Sequence, residues 1–491
     1  MISLAVLILA LWLRISQLNS LPVFADEAIY IRWAQVMRAE STLRFLPLSD
    51  GKQPLFMWTV IPFLKFISDP LLAGRLVSVL AGLGSTVGVG MSAWILFDRK
   101  RLALTSGLIW AILPYAVFFD RMALADSLLT MFIIWTFVFS AISLRFRRWD
   151  FSMLAGFTLG FAWLTKSPAI FSFILIPFLL LLNPDNYKGQ KKLWISIGLI
   201  LTTYAIAFGM YNILRLGPEF HMIALRNQDY IHPLTEVLKH PLDPLRPHLR
   251  DALDFSLRLL TPVGFLLALL GLYEGGKNHL KPRLILAAWW LIPLFVQAFI
   301  AKTFTARYLL FTVPFAVILI AHGLWHLGDR TRKHFLSLGA LVLLAVTCLG
   351  FDALIIFNNW SAPLPRIERS GYLEEWTSGY GLRETAADIR QAAESGPVVV
   401  GSEGFFGTPF SALEMYLNDL PQVRMVGLGR LIGAPDPKVV SAQADNRVFV
   451  VANSTRIAGD PEKLGYEIIN SYSKAPRPDG SREYLLFMKL K

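Results

Sequence analysis

Asp26 and Glu27 stand side by side in Phe24-Ala-Asp-Glu-Ala-Ile-Tyr30, just beyond the first hydrophobic run of a chain dominated by apolar stretches. Two carboxylates beside lipid are costly and demand a reason. One reason is proton transfer, because an ionised carboxylate within reach of a hydroxyl can act as its base. The residues after Asp26 predict a helix to about Ala39, with Ile29, Trp33, Val36 and Met37 at spacings of three and four. That pattern is an amphipathic helix lying on a membrane surface. Asp26 would cap it, and the positive end of the helix dipole would favour the ionised carboxylate. A purely capping aspartate is the plainer alternative for this residue taken alone.

Cations recur at the ends of later apolar runs. Asp120-Arg121-Met-Ala-Leu-Ala-Asp126 predicts a tight loop in which Asp126 caps the next span and Arg121 sits about a turn earlier. Trp163-Leu-Thr-Lys166-Ser-Pro168 places a lysine before a helix-starting proline, and Ala306-Arg307-Tyr308 brings an arginine and a belt aromatic to a span entrance. Lys52 and Arg75 complete the set. Each has a bland reading as a cap or a snorkelling side chain. Together they suit a phosphate, which arginine holds in two-pronged fashion and lysine as a point charge.

These residues need a membrane frame. The chain has 491 residues, 54% hydrophobic and 17% charged, with 14 Trp and 35 Phe, which describes a polytopic helical membrane protein. The net charge is +12, yet from Gly371 onward there are 13 Lys+Arg against 15 Asp+Glu. The basic excess therefore belongs to the apolar part, where it marks cytoplasmic loops and not nucleic-acid binding. The single cysteine, Cys348, excludes a disulfide framework and a cysteine metal cluster. Ile2 to Leu13 resembles a signal peptide but lacks a small-residue cleavage site, so it is read as a retained first helix.

Further spans are expected from near Arg75, Leu102, Ser127, Phe151, Ala169, Leu193, Phe255, Leu284, Tyr308 and Phe335. Leu55 to Ile67 is short and broken by Pro62 and Lys65. Reading it as an interfacial segment puts Arg99-Lys100-Arg101, Arg145/Arg147/Arg148, Lys188/Lys191/Lys192, Lys277/Lys281/Arg283 and Arg330/Arg332/Lys333 on one side. The expectation is about eleven spans, N-terminus inside and C-terminus outside, with the candidate charges on the outer face. His221, His232, His240 and His248 fall in the outer loop Leu216–Asp254, spaced 11, 8 and 8 residues apart, which is no metal-ligand pattern.

Two domains are expected: 1–357 in the membrane, with outer loop 20–74, and an extracytoplasmic α/β domain over 358–491. In the tail, Arg383–Glu394 and Phe410–Leu417 read as helices. Pro397–Gly401, Arg447–Val451 and Tyr484–Met488 read as strands. Gly401-Ser-Glu-Gly-Phe-Phe-Gly407 follows a strand, as ligand loops often do, although a plain glycine-rich turn is the commoner case. The tail is expected to aid acceptor recognition or cover the site without supplying the base.

In order, Asp26-Glu27-Ala-Ile-Tyr30, Gln53-Pro54-Leu55, Arg75-Leu-Val-Ser, Arg121-Met-Ala-Leu-Ala-Asp126-Ser, Leu164-Thr-Lys166-Ser-Pro168 and Arg307-Tyr308-Leu resemble the GT-C class of lipid-carrier-dependent glycosyltransferases, especially bacterial relatives of protein O-mannosyltransferases and aminoarabinose transferases. The resemblance covers roughly Met1 to Phe357. It implies a polyprenyl-phosphate sugar donor, a lipid, glycan or protein acceptor, and an inverting transfer on the outer face of the cytoplasmic membrane. It makes Asp26 the catalytic base with Glu27 beside it, and Lys52, Arg75, Arg121, Lys166, Arg307 and Tyr308 the donor-phosphate residues. Many relatives carry His or Lys where this chain has Gln53, which shifts attention to Lys52. A divalent cation (Mg or Mn) held by Asp26 and Asp126 is one option, since related oligosaccharyltransferases resemble metal enzymes and O-mannosyltransferases resemble metal-free ones. The rivals are a transporter or flippase of lipid-linked sugars, for which no inverted repeat is visible, and a lipid-linked-oligosaccharide ligase or polymerase.

Overall fold

A computed structural model describes residues 3–182, 190–273, 279–331 and 334–491. The chain forms two compact units. The first comprises residues 1–18, 43–56 and 75–357, and the second 19–42, 57–74 and 358–491. The second unit therefore joins most of the first loop, Asp26 included, to the tail.

The chain opens with α1 (Leu4–Ile15), α2 (Ala25–Ala39), the short α3 (Leu55–Val60) and α4 (Phe63–Phe66), and α5 (Pro70–Phe97). Then come α6 (Lys100–Ile112), α7 (Pro114–Asp120), α8 (Ala125–Phe146), α9 (Trp149–Thr165) and α10 (Ile170–Leu175). These are followed by α11 (Gln190–Tyr211), α12 (Met222–Tyr230), α13 (Leu234–Lys239), α14 (Leu242–Leu259) and α15 (Pro262–Tyr273). The apolar part closes with α16 (Leu280–Ile300), α17 (Val313–Thr331) and α18 (His334–Phe357).

Six of the described helices are long and apolar enough to cross a membrane, or up to eight if each of two bent pairs makes one span. The expected count of about eleven is not confirmed, because three of the expected runs form helices shorter than 18 residues: Leu4–Ile15, Trp149–Thr165 and Ser167–Leu182. Proline bends two others. The run from Leu102 bends by 55° between α6 and α7 at Pro114, and the run from Phe255 turns by 109° between α14 and α15 at Pro262. Leu4–Ile15 and Ser167–Leu182 are short apolar helices, as is Leu55–Phe66. Lys188, Lys277, Arg332 and Lys333 lie outside the described residues.

Charge repairs the Pro114 break. Proline lacks the N–H that would bond the carbonyl four residues back. Arg14 of α1 supplies donors instead, Nη2 to Trp110 O at 3.3 Å and Nη1 to Ala111 O at 2.9 Å. Its Nε donates to Asp120 Oδ2 at 2.9 Å. In return Arg121, just past α7, donates Nη1 to the carbonyls of Leu13, Arg14 and Ser16 and Nη2 to that of Gln17, at 2.7–3.1 Å. The first two are orphan acceptors of the last turn of α1 and the others lie just past its end, where a cation also meets the negative end of the dipole. Gly82 of α5 passes so close that a Cβ there would sit 2.3 Å from Asp120 Oδ2. The first unit is thus pinned by two arginines exchanged between helix ends.

In the second unit the tail adds α19 (Arg366–Arg369), α20 (Leu382–Ala393), α21 (Phe410–Tyr416) and α22 (Pro437–Ala442). The strands are β1 (Val23–Phe24), β2 (Ser378–Gly379), β3 (Val398–Ser402), β4 (Val423–Gly427), β5 (Arg447–Asn453), β6 (Tyr466–Ser473) and β7 (Tyr484–Leu490). The five-stranded sheet runs β4-β3-β5-β7-β6, parallel on either side of β3 and antiparallel around β7. Val399, Val448, Val450, Tyr466 and Met488 fill its core with Val439 of α22.

Candidate active site

The acid of the first loop is positioned by the tail. β1 pairs antiparallel with β2, Val23 opposite Gly379 and Phe24 opposite Ser378, and Ala25 N donates to Thr377 O at 3.1 Å. The Phe24 ring lies 4.4 Å from that of Tyr372, and Trp33 packs 5.6 Å from Phe406. Along α2, Arg32 reaches Glu414 at 3.5 Å and Gln35 Nε2 donates to Met415 O at 3.0 Å. Ile29, Trp33 and Met37 are buried in the protein. The apolar stripe expected to meet lipid is a packing face.

Capping falls to a different residue from the one expected. α2 starts at Ala25 with Phe24 as its N-cap residue, and Glu27 Oε2 accepts the Phe24 N–H at 2.9 Å. Glu27 is fully buried, whereas Asp26 is part-exposed in the first turn. The helix start is therefore built by Glu27, and Asp26 stays at the dipole's positive end without serving as its cap.

The first unit holds the cations, in two states. Lys166 ends α9, and its Nζ lies 2.6 Å from Asp126 Oδ1 and 4.4 Å from the centre of the Tyr308 ring. Asp126 is in the first turn of α8, whose N-cap residue is Leu124, so the expected cap is an ion-pair partner instead. The Arg307 guanidinium sits 5.2 Å from the same ring. A 3-10 segment, Ala306–Thr312, presents both residues, with Ala306, Leu309 and Leu310 buried and Tyr115 Oη donating to Ala306 O at 2.6 Å. Ser167, next to Lys166, accepts Gln53 Nε2 at 2.8 Å, so the residue standing in for His or Lys ties the first loop to the Lys166 turn.

Lys52 follows Gly51, whose φ of 67° and crowding by Arg226 demand glycine. Its Nζ is 3.2 Å from Asp50 and 3.5 Å from Tyr230 Oη, while Asp50 also takes Arg226 at 2.6 Å. By contrast Arg75 and Arg121 are fully buried. Arg75 Nη1 donates to Leu18 O at 2.6 Å, and Arg121 holds the α1 carbonyls. The expectation that these two grip a phosphate meets side chains already engaged with backbone. Sequence reading missed the Arg14–Asp120 pair and the buried Asp352, although a charge inside an apolar run was the available signal. Asp352 is fully buried, with no hydrogen-bond donor to either oxygen among the described residues and the charges of Arg14 and Arg121 acting on it.

Among the described residues no three His, Cys, Asp or Glu gather as a metal set. Of the loop histidines, His248 Nδ1 lies 2.9 Å from Ala298 O and its ring stacks 4.8 Å from Phe304. The Gly401–Gly407 loop ends in a closed polar cluster. Glu403 accepts Asn453 N at 2.8 Å and Nδ2 at 2.6 Å, and Lys474 Nζ donates to Asn453 Oδ1 at 2.5 Å. Burial pushes the Glu403 carboxyl up to about 7 and the Lys474 ammonium down to about 8.

Residues 51–210 match the family model of dolichyl-phosphate-mannose-protein mannosyltransferases. That stretch contains Lys52, Arg75, Arg121, Asp126 and Lys166. Apo ArnT from Cupriavidus metallidurans superposes with a TM-score of 0.61 at 14% identity, covering 98% of this chain and 96% of that one. ArnT from the same organism bound to undecaprenyl phosphate gives 0.58 at 16% identity with the same coverage. No curated protein matches the chain. The chain is an integral membrane protein with the fold of the GT-C glycosyltransferases.

Proposed function

We propose that this protein is an inverting glycosyltransferase that moves a sugar from a polyprenyl-phosphate carrier to an acceptor hydroxyl on the outer face of the cytoplasmic membrane. The observation that carries this reading is the Lys166–Asp126 pair with Tyr308 and Arg307 around it. One carboxylate holds Lys166 in place, and two cations flank one aromatic ring. Support also comes from the mannosyltransferase match over 51–210 and from a similar fold solved with undecaprenyl phosphate.

Asp26 accepts the acceptor's hydroxyl proton as that oxygen attacks the anomeric carbon. The bond between that carbon and the phosphate oxygen breaks with its electrons going to the phosphate, and the lipid phosphate leaves. Lys166 and Arg307 meet the growing negative charge, with Tyr308 between them and Lys52 as a further cation. Direct displacement by one base inverts the anomeric carbon. Glu27 fixes the helix start and so orients Asp26, and Arg75 and Arg121 fix the end of α1. Asp126, one of the two carboxylates expected to hold a divalent ion, already holds Lys166. Hard cations take six or so oxygens, so no step is derived through a metal.

The test uses purified protein in nanodiscs with polyprenyl-phosphate mannose, other hexose, aminosugar or pentose donors. Mass spectrometry should detect free polyprenyl phosphate together with a glycosylated acceptor, and NMR should show the opposite anomer. Retention of configuration, or donor crossing the bilayer with its sugar–phosphate bond intact, would contradict the reading.

A further inference from the structure

We propose that the second unit carries a saccharide-binding cleft, separate from Asp26, that holds the extended part of a glycan acceptor. The proposal rests on the glycosyltransferase reading for its purpose and on the cleft's own chemistry for its ligand. The cavity measures about 590 Å³ and is walled by α2, the 64–70 segment, α20 and α21. That volume lies within the range of small-molecule sites, about 300–1,000 Å³.

Its walls are fixed polar edges. Arg390 forms a two-pronged pair with Asp419 at 2.6 and 2.7 Å and also donates to Tyr416 O at 2.9 Å. Arg383 pairs with Asp69, its guanidinium 5.8 Å from the Tyr416 ring. Arg38 is exposed, donates to Leu64 O at 2.6 Å and has no carboxylate partner among the described residues. Such paired guanidinium and carboxylate edges present donors and acceptors together in rigid geometry. A sugar ring offers the complement, hydroxyls that both donate and accept around faces of C–H that pack on an aromatic ring.

Other ligands fit less well. A lipid tail would have to desolvate three arginines and two aspartates. A multiply charged anion would face Asp69 and Asp419. Strand addition by a peptide needs an open sheet edge, and this cleft is bordered by helices. The cleft also sits away from the chemistry. Gln35, its α2 residue nearest Asp26, is nine residues on, about 13 Å along the helix and half a turn round it. The cleft therefore holds a distal part of the acceptor.

The test uses full-length Asp26→Asn protein in nanodiscs, so that binding is measured apart from turnover. The probes are linear tetrasaccharides of mannose, glucose and N-acetylglucosamine, with a Ser/Thr-rich peptide as the competing class. Ala387 lines the cleft and is exposed, so Ala387→Trp fills the cavity without entering a core. At least one tetrasaccharide should bind saturably, lose tenfold or more in affinity in Ala387→Trp, and lose about threefold to tenfold in Arg38→Ala. Melting temperatures of both variants should match the parent. The proposal is overturned if no tetrasaccharide saturates, if Ala387→Trp binds as well as the parent, or if the peptide binds there instead. Wild-type transfer to a short acceptor is scored separately. Transfer without cleft binding removes this proposal alone, whereas cleft binding without transfer removes the enzymatic reading.

Discussion

The first unit contains two sets of cations that look alike in sequence and differ in what their donors meet. Arg14, Arg75 and Arg121 are buried and directed at backbone carbonyls, and Arg14 also pairs with Asp120. Lys166 and Arg307 gather on one aromatic ring at a helix end, and Lys166 is paired with Asp126. A guanidinium that repairs a proline break or closes a helix end is scaffold, because losing it orphans several buried carbonyls at once. A cation on a part-exposed turn can change partners at little cost. On the proposed mechanism, that difference separates structural charge from working charge.

The largest effects should come from breaking the buried set. Asp120→Leu leaves Arg14 buried without its carboxylate, and removing one partner of a buried pair costs about 3–5 kcal/mol. A sharp fall in folded yield and melting temperature is expected, with much of it recovered in the Arg14→Met/Asp120→Leu double variant. A single variant that melts like wild type would remove the scaffold assignment. Lys166→Gln and Arg307→Gln should do the reverse. Each should weaken donor binding by about 1.5–3 kcal/mol, roughly ten- to a hundredfold, while changing stability by about 1 kcal/mol or less. Unchanged donor affinity in both would return these residues to snorkelling.

The charges at the ends of apolar runs and the tail's inner strands were legible in sequence, and the partners were not. β3, β5 and β7 announce themselves as apolar runs because they lie inside the sheet. β4 and β6 were missed because they are its two edges, and Tyr466-Glu-Ile-Ile-Asn-Ser-Tyr-Ser473 is largely exposed. The two-residue β1 has no periodicity to read, yet it joins the acid's loop to the tail. Arg121 was visible as a charge, but its acceptors lie more than a hundred residues earlier, beyond any local pattern. Glu27 looked like a second acid, and only geometry shows it accepting the Phe24 N–H.

A smaller effect sharpens the contrast in the second unit, where the buried charge is a carboxyl. Glu403 is raised by burial from 4.5 to about 7, so the folded state holds an extra proton between those values. The stabilisation is complete below about pH 4.5 and is lost as pH rises through 7. Chemical denaturation should show the unit more stable at pH 5 than at pH 7.5, with the slope flattened in Glu403→Gln. Lys474, lowered to about 8, titrates above that window.

In the proposed mechanism Asp26, placed by Glu27 and the tail, is the base. The direct measurement is single-turnover sugar transfer from a saturating polyprenyl-phosphate donor by wild type, Asp26→Asn and Glu27→Gln, each checked by thermal melt. Asp26→Asn should melt normally and transfer roughly a hundredfold to ten-thousandfold more slowly, whereas Glu27→Gln, still able to accept the Phe24 N–H, should lose far less. A well-folded Asp26→Asn protein transferring at near wild-type rate would contradict the mechanism.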